Sequence, residues 1–118
     1  MGTPHFPRID GGILFLEDIG EHPYRVERML YQLHFAGVLA RQRAVLLGTF
    51  NGYELGPNDN GYDAAALVAQ VRDRLCPHLF TGLPFGHVPE KLTLPVGGRC
   101  ALEVRDGAAR LAFSNYGA

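Results

Sequence analysis

Two neighbouring acidic residues and one histidine are the side chains in this sequence whose types and positions could support chemistry. Glu17 and Asp18 directly follow the apolar run Ile13–Leu16, and His87 follows Gly86 in a loop after a later apolar run. If both runs are parallel strands, their carboxyl ends meet at one edge of a sheet, where ligands collect. A carboxylate beside an imidazole fixes the tautomer of the ring and stabilises its protonated form. The pattern therefore indicates an acid and a base, two of the three members of a hydrolase triad.

The same residues also admit structural roles, which the sequence leaves open. A carboxylate at a strand end often caps a helix or pairs with an arginine, and Arg25 and Arg28 lie close by in the chain. A single loop histidine is usually a surface or packing residue. Among the other histidines, we expect His22 to be a turn residue and His34 and His78 to be solvated.

A nucleophile to complete the triad is not evident. Ser114 is the only serine, lies four residues from the end and has no G-x-S-x-G motif around it. Cys76 and Cys100 occur in apolar contexts where a thiol is not activated. We expect these cysteines to be reduced structural thiols in a cytoplasmic protein, although one disulfide between them is an alternative.

Composition excludes several classes of protein. The 118 residues predict one domain, with 47% hydrophobic and 19% charged residues, as in a globular protein. The net charge of −1 without a basic run argues against nucleic-acid binding. No stretch approaches the ~20 apolar residues of a membrane span, and no signal-peptide core is evident. The histidines and cysteines lack metal-ligand spacing, so we expect neither a metal nor a cofactor.

The first half of the chain predicts a strand, a helix and a second strand. Gly11–Glu17 is the first strand, and its continuous apolar run is typical of a strand covered on both faces. Pro23 suits the first turn of a helix with one apolar face, and Gly37 suits its end. Ala44–Phe50 is the second strand. A strand, a helix and a strand in this length form a parallel crossover.

The second half predicts one more helix and further strands. Asn51–Tyr62 is rich in Gly, Asn, Asp and Pro and predicts a surface loop. Asp63 can cap a helix over Ala64–Leu75, and Leu79–Leu83 is the third strand. Asp106-Gly107 predicts the turn of a terminal hairpin. The fold class is therefore α/β, with a small parallel βαβαβ core and additional antiparallel strands.

Residues 2–96 closely resemble the C-terminal domain of bacterial LD-carboxypeptidases, the serine-type muramoyl-tetrapeptide carboxypeptidases of peptidoglycan recycling. The resemblance lies in four stretches of the chain: GTP at 2–4, ILFLEDIGEHPYRVERMLYQL with HFAGVL following, AVLLGTF, and TGLPFGHVPEKLTLPVG. These stretches cover nearly the whole chain, and only the last hairpin is weakly diagnostic.

The resemblance implies that Glu17, rather than Asp18, and His87 are the acid and the general base of a Ser-Glu-His triad. It also implies a swivelling-type β/β/α domain whose partners are its own N-terminal domain and a murein tetrapeptide. In this family the nucleophilic serine and the oxyanion hole belong to that N-terminal domain, which nothing in the sequence matches. We therefore expect residues 1–118 to be an excised C-terminal domain that supplies no nucleophile and is inactive alone.

Two other functions are compatible with the sequence. A related serine peptidase of the microcin-immunity type would share the triad and cleave a different amide. A non-catalytic module would use the domain for binding or for homodimerisation, since an exposed apolar helix face promotes self-association.

Overall fold

The structure is a computed structural model that describes residues 2–115. Within this range five strands and two α-helices follow one another as β1 (Ile13–Ile19), α1 (Pro23–Phe35), β2 (Ala44–Asn51), α2 (Ala64–Arg74), β3 (Leu79–Phe80), β4 (Arg99–Arg105) and β5 (Ala108–Ser114). The predicted α/β class and the order of its elements are confirmed.

The central element is a parallel sheet with the strand order β1-β2-β3. Strand β2 lies in the middle, and its residues Ala44–Leu47 are buried. A side chain of the size of Val45 or Leu47 contributes about 1.5–3 kcal/mol when it is fully buried. The continuous apolar run of β2 is therefore explained by its central position.

Strand β1 differs from its prediction in two respects. The apolar run Ile13–Leu16 is half-buried rather than covered on both faces, because β1 is an edge strand that pairs with β2 alone. The strand also begins at Ile13 rather than Gly11 and continues to Ile19, so that Asp18 lies within it and not beyond its end. The pairing with β2 is irregular at Glu17. Leu16 pairs with Leu47 but Asp18 pairs with Phe50, so Glu17 lies opposite two residues of β2 and the register shifts by one residue.

The sheet separates a helical layer from a second, antiparallel layer. Both helices cover one face, where Val26 and Leu30 of α1 and Leu67 and Val71 of α2 join one buried cluster. The opposite face is covered by the chain after β3 and by the β4–β5 hairpin. The residues of this second cluster are Ala44, Leu46 and Leu83, with Ile13, Phe15, Phe80, Phe85, Leu94, Leu102 and Leu111 packed against them. The result is a β/β/α arrangement of layers.

The helix ends follow the predicted capping signals. Helix α1 begins at Pro23, and Gly37 after its last turn has φ 68°, a left-handed conformation that glycine tolerates best. Asp63 caps α2, because its Oδ1 accepts a hydrogen bond from the backbone N–H of Ala66 at 2.8 Å. Neither helix is long and apolar enough to cross a membrane.

The third strand is shorter than predicted. Only Leu79–Phe80 form β3, where Leu79–Leu83 was expected. Gly82 has φ 86° and Pro84 has no N–H, so the chain cannot continue as a regular strand. It nevertheless stays beside β2, since the backbone N–H of Leu83 donates to the carbonyl of Leu47 at 3.3 Å.

The terminal hairpin has the predicted turn. Asp106 and Gly107 have φ of 50° and 78°, the two positive values of a type I′ turn. This turn joins β4 to β5, which pair in antiparallel register from Arg99 opposite Ser114 to Arg105 opposite Ala108. The prediction of additional antiparallel strands is therefore confirmed.

Candidate active site

Glu17 reaches the site because side chains alternate between the two faces of a strand. Ile13 and Phe15 pack toward the hairpin layer, and Glu17 extends on the same side two positions later. Asp18 extends on the opposite side, where its Oδ1 accepts a hydrogen bond from the backbone N–H of Ile19 at 2.8 Å. The two neighbouring acids are therefore separated by the sheet, and only Glu17 faces the chain that follows β3.

His87 is placed by a segment that runs along β2 after β3 has ended. The backbone N–H of Thr49 donates to the carbonyl of Phe85 at 2.8 Å. A tight turn around Pro84 is closed by the N–H of Phe85 and the carbonyl of Leu83, also at 2.8 Å. These bonds bring the residue after Gly86 to the carboxyl end of the sheet.

Glu17 and His87 form a hydrogen-bonded pair there. Nδ1 of His87 lies 2.9 Å from Oε2 of Glu17, across a sequence separation of 70 residues. The Glu17 side chain is 23% exposed and that of His87 is 55% exposed. A carboxylate can only accept, so Nδ1 carries the donated hydrogen and Nε2 is the basic nitrogen of the neutral ring. The pair thus presents an oriented proton acceptor to solvent.

The arginines near Glu17 in the sequence do not take the place of His87. Arg25 forms an ion pair with Glu21, four residues earlier in the chain, with 2.5 Å between Nε and Oε2. Arg28 lies on α1 with its side chain exposed. Of the three candidate partners that the sequence offers for Glu17, namely Arg25, Arg28 and His87, the structure therefore pairs it with His87.

Two glycines allow the loop of His87 to approach the sheet. A Cβ atom on Gly48 would lie 2.4 Å from the carbonyl oxygen of Phe85, closer than any ordinary contact. Gly86 has φ 137°, and a Cβ there would lie 3.0 Å from the carbonyl oxygen of Thr49 and 3.4 Å from Oε2 of Glu17. Glycine is therefore required sterically at both positions. The glycine within the apolar run of β2 is a sequence signal of close backbone approach that our sequence analysis missed.

Replacement of Gly48 by alanine should displace the Phe85 carbonyl and destabilise the domain. Overpacking of this kind typically lowers the free energy of unfolding by about 1–3 kcal/mol, and urea unfolding measures it. Gly56→Ala is the matched control, because Gly56 has φ −97° and its Cβ would lie 3.5 Å from the nearest atom, Oδ2 of Asp59. Equal unfolding free energies for Gly48→Ala and Gly56→Ala would contradict the steric argument.

Comparison with known proteins decides what kind of domain this is. The family model of the LD-carboxypeptidase C-terminal domain matches residues 1–102. The chain belongs to this family. The resemblance expected from the sequence is therefore confirmed.

Individual relatives of this LD-carboxypeptidase domain are longer proteins. A putative carboxypeptidase of Streptomyces coelicolor is 36% identical over 112 residues, covering 94% of this chain and 34% of that protein. A murein tetrapeptide carboxypeptidase of Pseudomonas aeruginosa is 33% identical over 104 residues, covering 87% and 32%. The chain thus spans about a third of these curated relatives. The crystal structure of a muramoyltetrapeptide carboxypeptidase from Oxalobacter formigenes is 52% identical with a TM-score of 0.94, covering 98% of this chain and 41% of that one.

The structure, like the sequence, gives no support to Ser114, Cys76 or Cys100 as the nucleophile of this LD-carboxypeptidase domain. Ser114 lies exposed at the end of β5 in the antiparallel layer. Cys76 is buried, Cys100 is half-buried, and no disulfide joins the two. Burial raises the pKa of both thiols, opposed in Cys76 by a backbone hydrogen bond at His78. A raised pKa leaves little of the reactive thiolate.

Asn51 is a residue at the site that our sequence analysis assigned only to a loop. It is the last residue of β2, and its Nδ2 donates a hydrogen bond to the backbone carbonyl of His87 at 3.2 Å. A polar residue at the carboxyl end of the central strand was the signal that could have identified it. Among residues 2–115, no group of three or more His, Cys, Asp or Glu side chains is arranged to hold a metal ion.

Three of the other histidines are more enclosed than predicted. His22 is not merely a turn residue: its Nε2 lies 3.0 Å from Oδ2 of Asp59, and both side chains are largely buried. Its ring also contacts Tyr24 at a centroid distance of 4.5 Å. His34 and His78 are half-buried rather than solvated. The pair of His22 and Asp59 ties the 51–62 loop to the start of α1, a contact that depends on tertiary structure.

The contact between His22 and Asp59 should make the unfolding midpoint of the domain depend on pH. The backbone N–H of Gly56 lowers the pKa of Asp59 below its ordinary value of 3.8, and His22 lowers it further against the opposing effect of burial. A carboxyl whose pKa is lower in the folded state stabilises the fold above its unfolded pKa, and this contribution is lost as the pH falls through the folded pKa. Asp59→Asn should therefore flatten the decline in unfolding midpoint below about pH 4. Asp73→Asn, at an exposed position of α2, should retain the wild-type pH profile, and identical profiles for all three proteins would refute the assignment.

Proposed function

We propose that this chain is the C-terminal part of a serine-type LD-carboxypeptidase that removes terminal D-alanine from murein tetrapeptides. Glu17 and His87 are the acid and general base of its Ser-Glu-His triad. The nucleophilic serine comes from an N-terminal domain outside these 118 residues. The observation that carries the proposal is the 2.9 Å hydrogen bond from Nδ1 of His87 to Glu17, with the imidazole open to solvent.

The reaction divides into acylation and deacylation, and in each half Nε2 of His87 first accepts a proton and then donates it. Nε2 of His87 accepts the proton of the serine hydroxyl as its oxygen attacks the amide carbonyl between diaminopimelate (or lysine) and D-alanine. Glu17 stabilises the imidazolium that forms. The imidazolium then protonates the nitrogen of D-alanine, the C–N bond breaks, and an acyl-enzyme remains. His87 next accepts a proton from water as the water oxygen attacks the carbonyl of the acyl-enzyme. The imidazolium returns this proton to the serine oxygen as the ester bond breaks, which releases the shortened peptide and the free serine.

The identity of substrate and partner domain is supported by the relatives. The proteins from Pseudomonas aeruginosa and Oxalobacter formigenes are named for murein tetrapeptide and muramoyltetrapeptide. Both are two to three times longer than the region matched, which leaves room for a second domain that supplies the nucleophile and the oxyanion hole. Two free thiols fit a reducing compartment, and we place the reaction in the cytoplasm.

A domain replacement tests the proposal. In the fusion enzyme, this chain replaces the 41% of the Oxalobacter formigenes enzyme that it matches, and release of D-alanine from murein tetrapeptide is measured against the parent enzyme. We expect release by the fusion enzyme and none by the 118-residue chain alone. Release by the chain alone at the rate of the fusion enzyme would overturn the assignment of the nucleophile to another domain.

The same experiment separates the alternatives. A folded fusion enzyme that cleaves an aminoacyl-nucleotide in preference to murein tetrapeptide would favour the microcin-immunity type of peptidase. A folded fusion enzyme that cleaves neither, together with self-association of the isolated chain in sedimentation, would favour a binding or dimerisation module. Either result would overturn the proposed carboxypeptidase function.

A further inference from the structure

The position of His87 depends on its hydrogen-bond partners, because the residue before it is a glycine. The ring lies at the surface and is 55% exposed. The preceding residue, Gly86, has φ 137°, and glycine imposes few limits on backbone rotation. The base of the loop is fixed on both sides of this point, by the bonds Thr49 N–H to Phe85 O and Leu92 N–H to Pro84 O, each 2.8 Å.

Beyond Gly86, two hydrogen bonds fix residue 87. One joins Nδ1 of the ring to Oε2 of Glu17 at 2.9 Å. The other joins the backbone carbonyl of His87 to Nδ2 of Asn51 at 3.2 Å. The first holds the ring and the second holds the backbone from which the ring projects. Loss of the second would leave rotation around Gly86 opposed by the exposed Glu17 pair, which is a weak restraint.

Asn51 is itself firmly held, as a positioning group must be. It pairs with Ile19 at the end of the β1–β2 ladder, and its backbone carbonyl accepts a hydrogen bond from the N–H of Gly20 at 2.8 Å. Its Oδ1 is enclosed and has no hydrogen-bond partner within residues 2–115. The side-chain amide is thus oriented by its bond to His87, since the reverse orientation would set two oxygen atoms against each other.

We propose that Asn51 is a positioning residue for the general base: its amide holds the His87 backbone so that the ring stays on Glu17 with Nε2 directed outward. This inference rests on the proposed function of His87. It adds the end of the central strand to the site, so that β1 supplies the acid, the segment after β3 supplies the base, and β2 supplies the group that fixes the base in place.

The tautomer of His87 in the isolated chain gives a test that needs no catalysis. Long-range ¹⁵N–¹H spectra of the neutral ring should show hydrogen predominantly on Nδ1 in the wild type, as the bond to Glu17 requires. In Asn51→Ala this preference should decline toward the mixture of Nδ1–H and Nε2–H tautomers that an unrestrained imidazole shows. Asn58→Ala, at an exposed position of the 51–62 loop, is the matched control and should leave the spectrum unchanged.

Kinetics of the fusion enzyme complete the test. Asn51→Ala should lower kcat by about tenfold with KM unchanged, the loss typical of one neutral hydrogen bond. Asn51→Leu, which keeps the volume and lacks the donor, should do the same and replaces Asn51→Ala if that variant unfolds. The role of Asn51 would be overturned if its variants kept the wild-type tautomer ratio and kcat while His87→Ala lost activity. That result would leave the proposed function intact. Activity retained in His87→Ala would instead overturn the proposed function.

Discussion

Replacement of His87 by alanine should lower kcat/KM of the fusion enzyme for murein tetrapeptide by about 10⁴-fold or more, the loss typical of triad deletions. Without the imidazole, the proton of the serine has no acceptor at the position of Nε2, and the leaving amine has no donor there. The loss should be in kcat, because the base acts on bonds that change in the transition state. Release of D-alanine under single-turnover conditions measures the chemical step directly.

The exposed position of His87 makes this experiment clean. Its ring is more than half exposed, so the truncation removes little packing and the unfolding midpoint should change little. His5→Ala, at an exposed position of the N-terminal segment, is the matched control and should keep the parental rate. A His87→Ala enzyme with more than about a tenth of the parental kcat/KM would show that another group is the base.

The second large effect is expected for Glu17→Gln. Glutamine keeps the shape of the side chain but carries no charge to stabilise the imidazolium, and its amide can donate to Nδ1, which favours the wrong tautomer of His87. We expect kcat to fall by about 10³- to 10⁴-fold. The tautomer of His87 should change with it, which the ring spectra of the isolated chain would detect.

The neighbouring acid provides the control for Glu17→Gln. Asp18→Asn alters the same charge one residue away, on the opposite side of the sheet, and retains the Oδ1 that accepts from Ile19. It should leave kcat within about twofold of the parent, since surface changes away from the site are usually small. Equal losses in Asp18→Asn and Glu17→Gln would mean that net charge near the edge of the sheet matters, and not the hydrogen bond to His87.

The parts of the fold that could be predicted are those with local signals. Pro23 and Asp63 marked the helix starts, and Asp106-Gly107 marked a turn, because each residue type has a backbone or capping preference that acts over a few residues. The apolar run Ala44–Phe50 indicated the second strand, because hydrophobic pattern is likewise a local signal. The juxtaposition of Glu17 near the end of β1 with a histidine after β3 followed from the parallel arrangement of the strands.

The features that the sequence did not reveal depend on how distant segments meet. The half-buried state of β1 reflects its place at the edge, which its apolar composition does not encode. The pairing irregularity at Glu17 arises from the register against β2. The contact of His22 with Asp59 spans 37 positions. The choice of Glu17 over Asp18 came from the resemblance to LD-carboxypeptidases and not from the spacing of residues. The structure adds the physical reason: side chains alternate between the two faces of the strand, so only Glu17 meets His87.

The separation of 70 positions between Glu17 and His87 has a consequence for the newly made chain. At about 5–20 residues per second, a ribosome adds the intervening residues in roughly 4–14 s. Throughout that interval the acid exists without the base, and a chain interrupted before residue 87 never acquires one. The pair also requires β1, β2 and the segment after β3 to be docked together. His87 is therefore oriented as a base only after all three strands of the parallel sheet and the segment that follows β3 have been synthesised and folded.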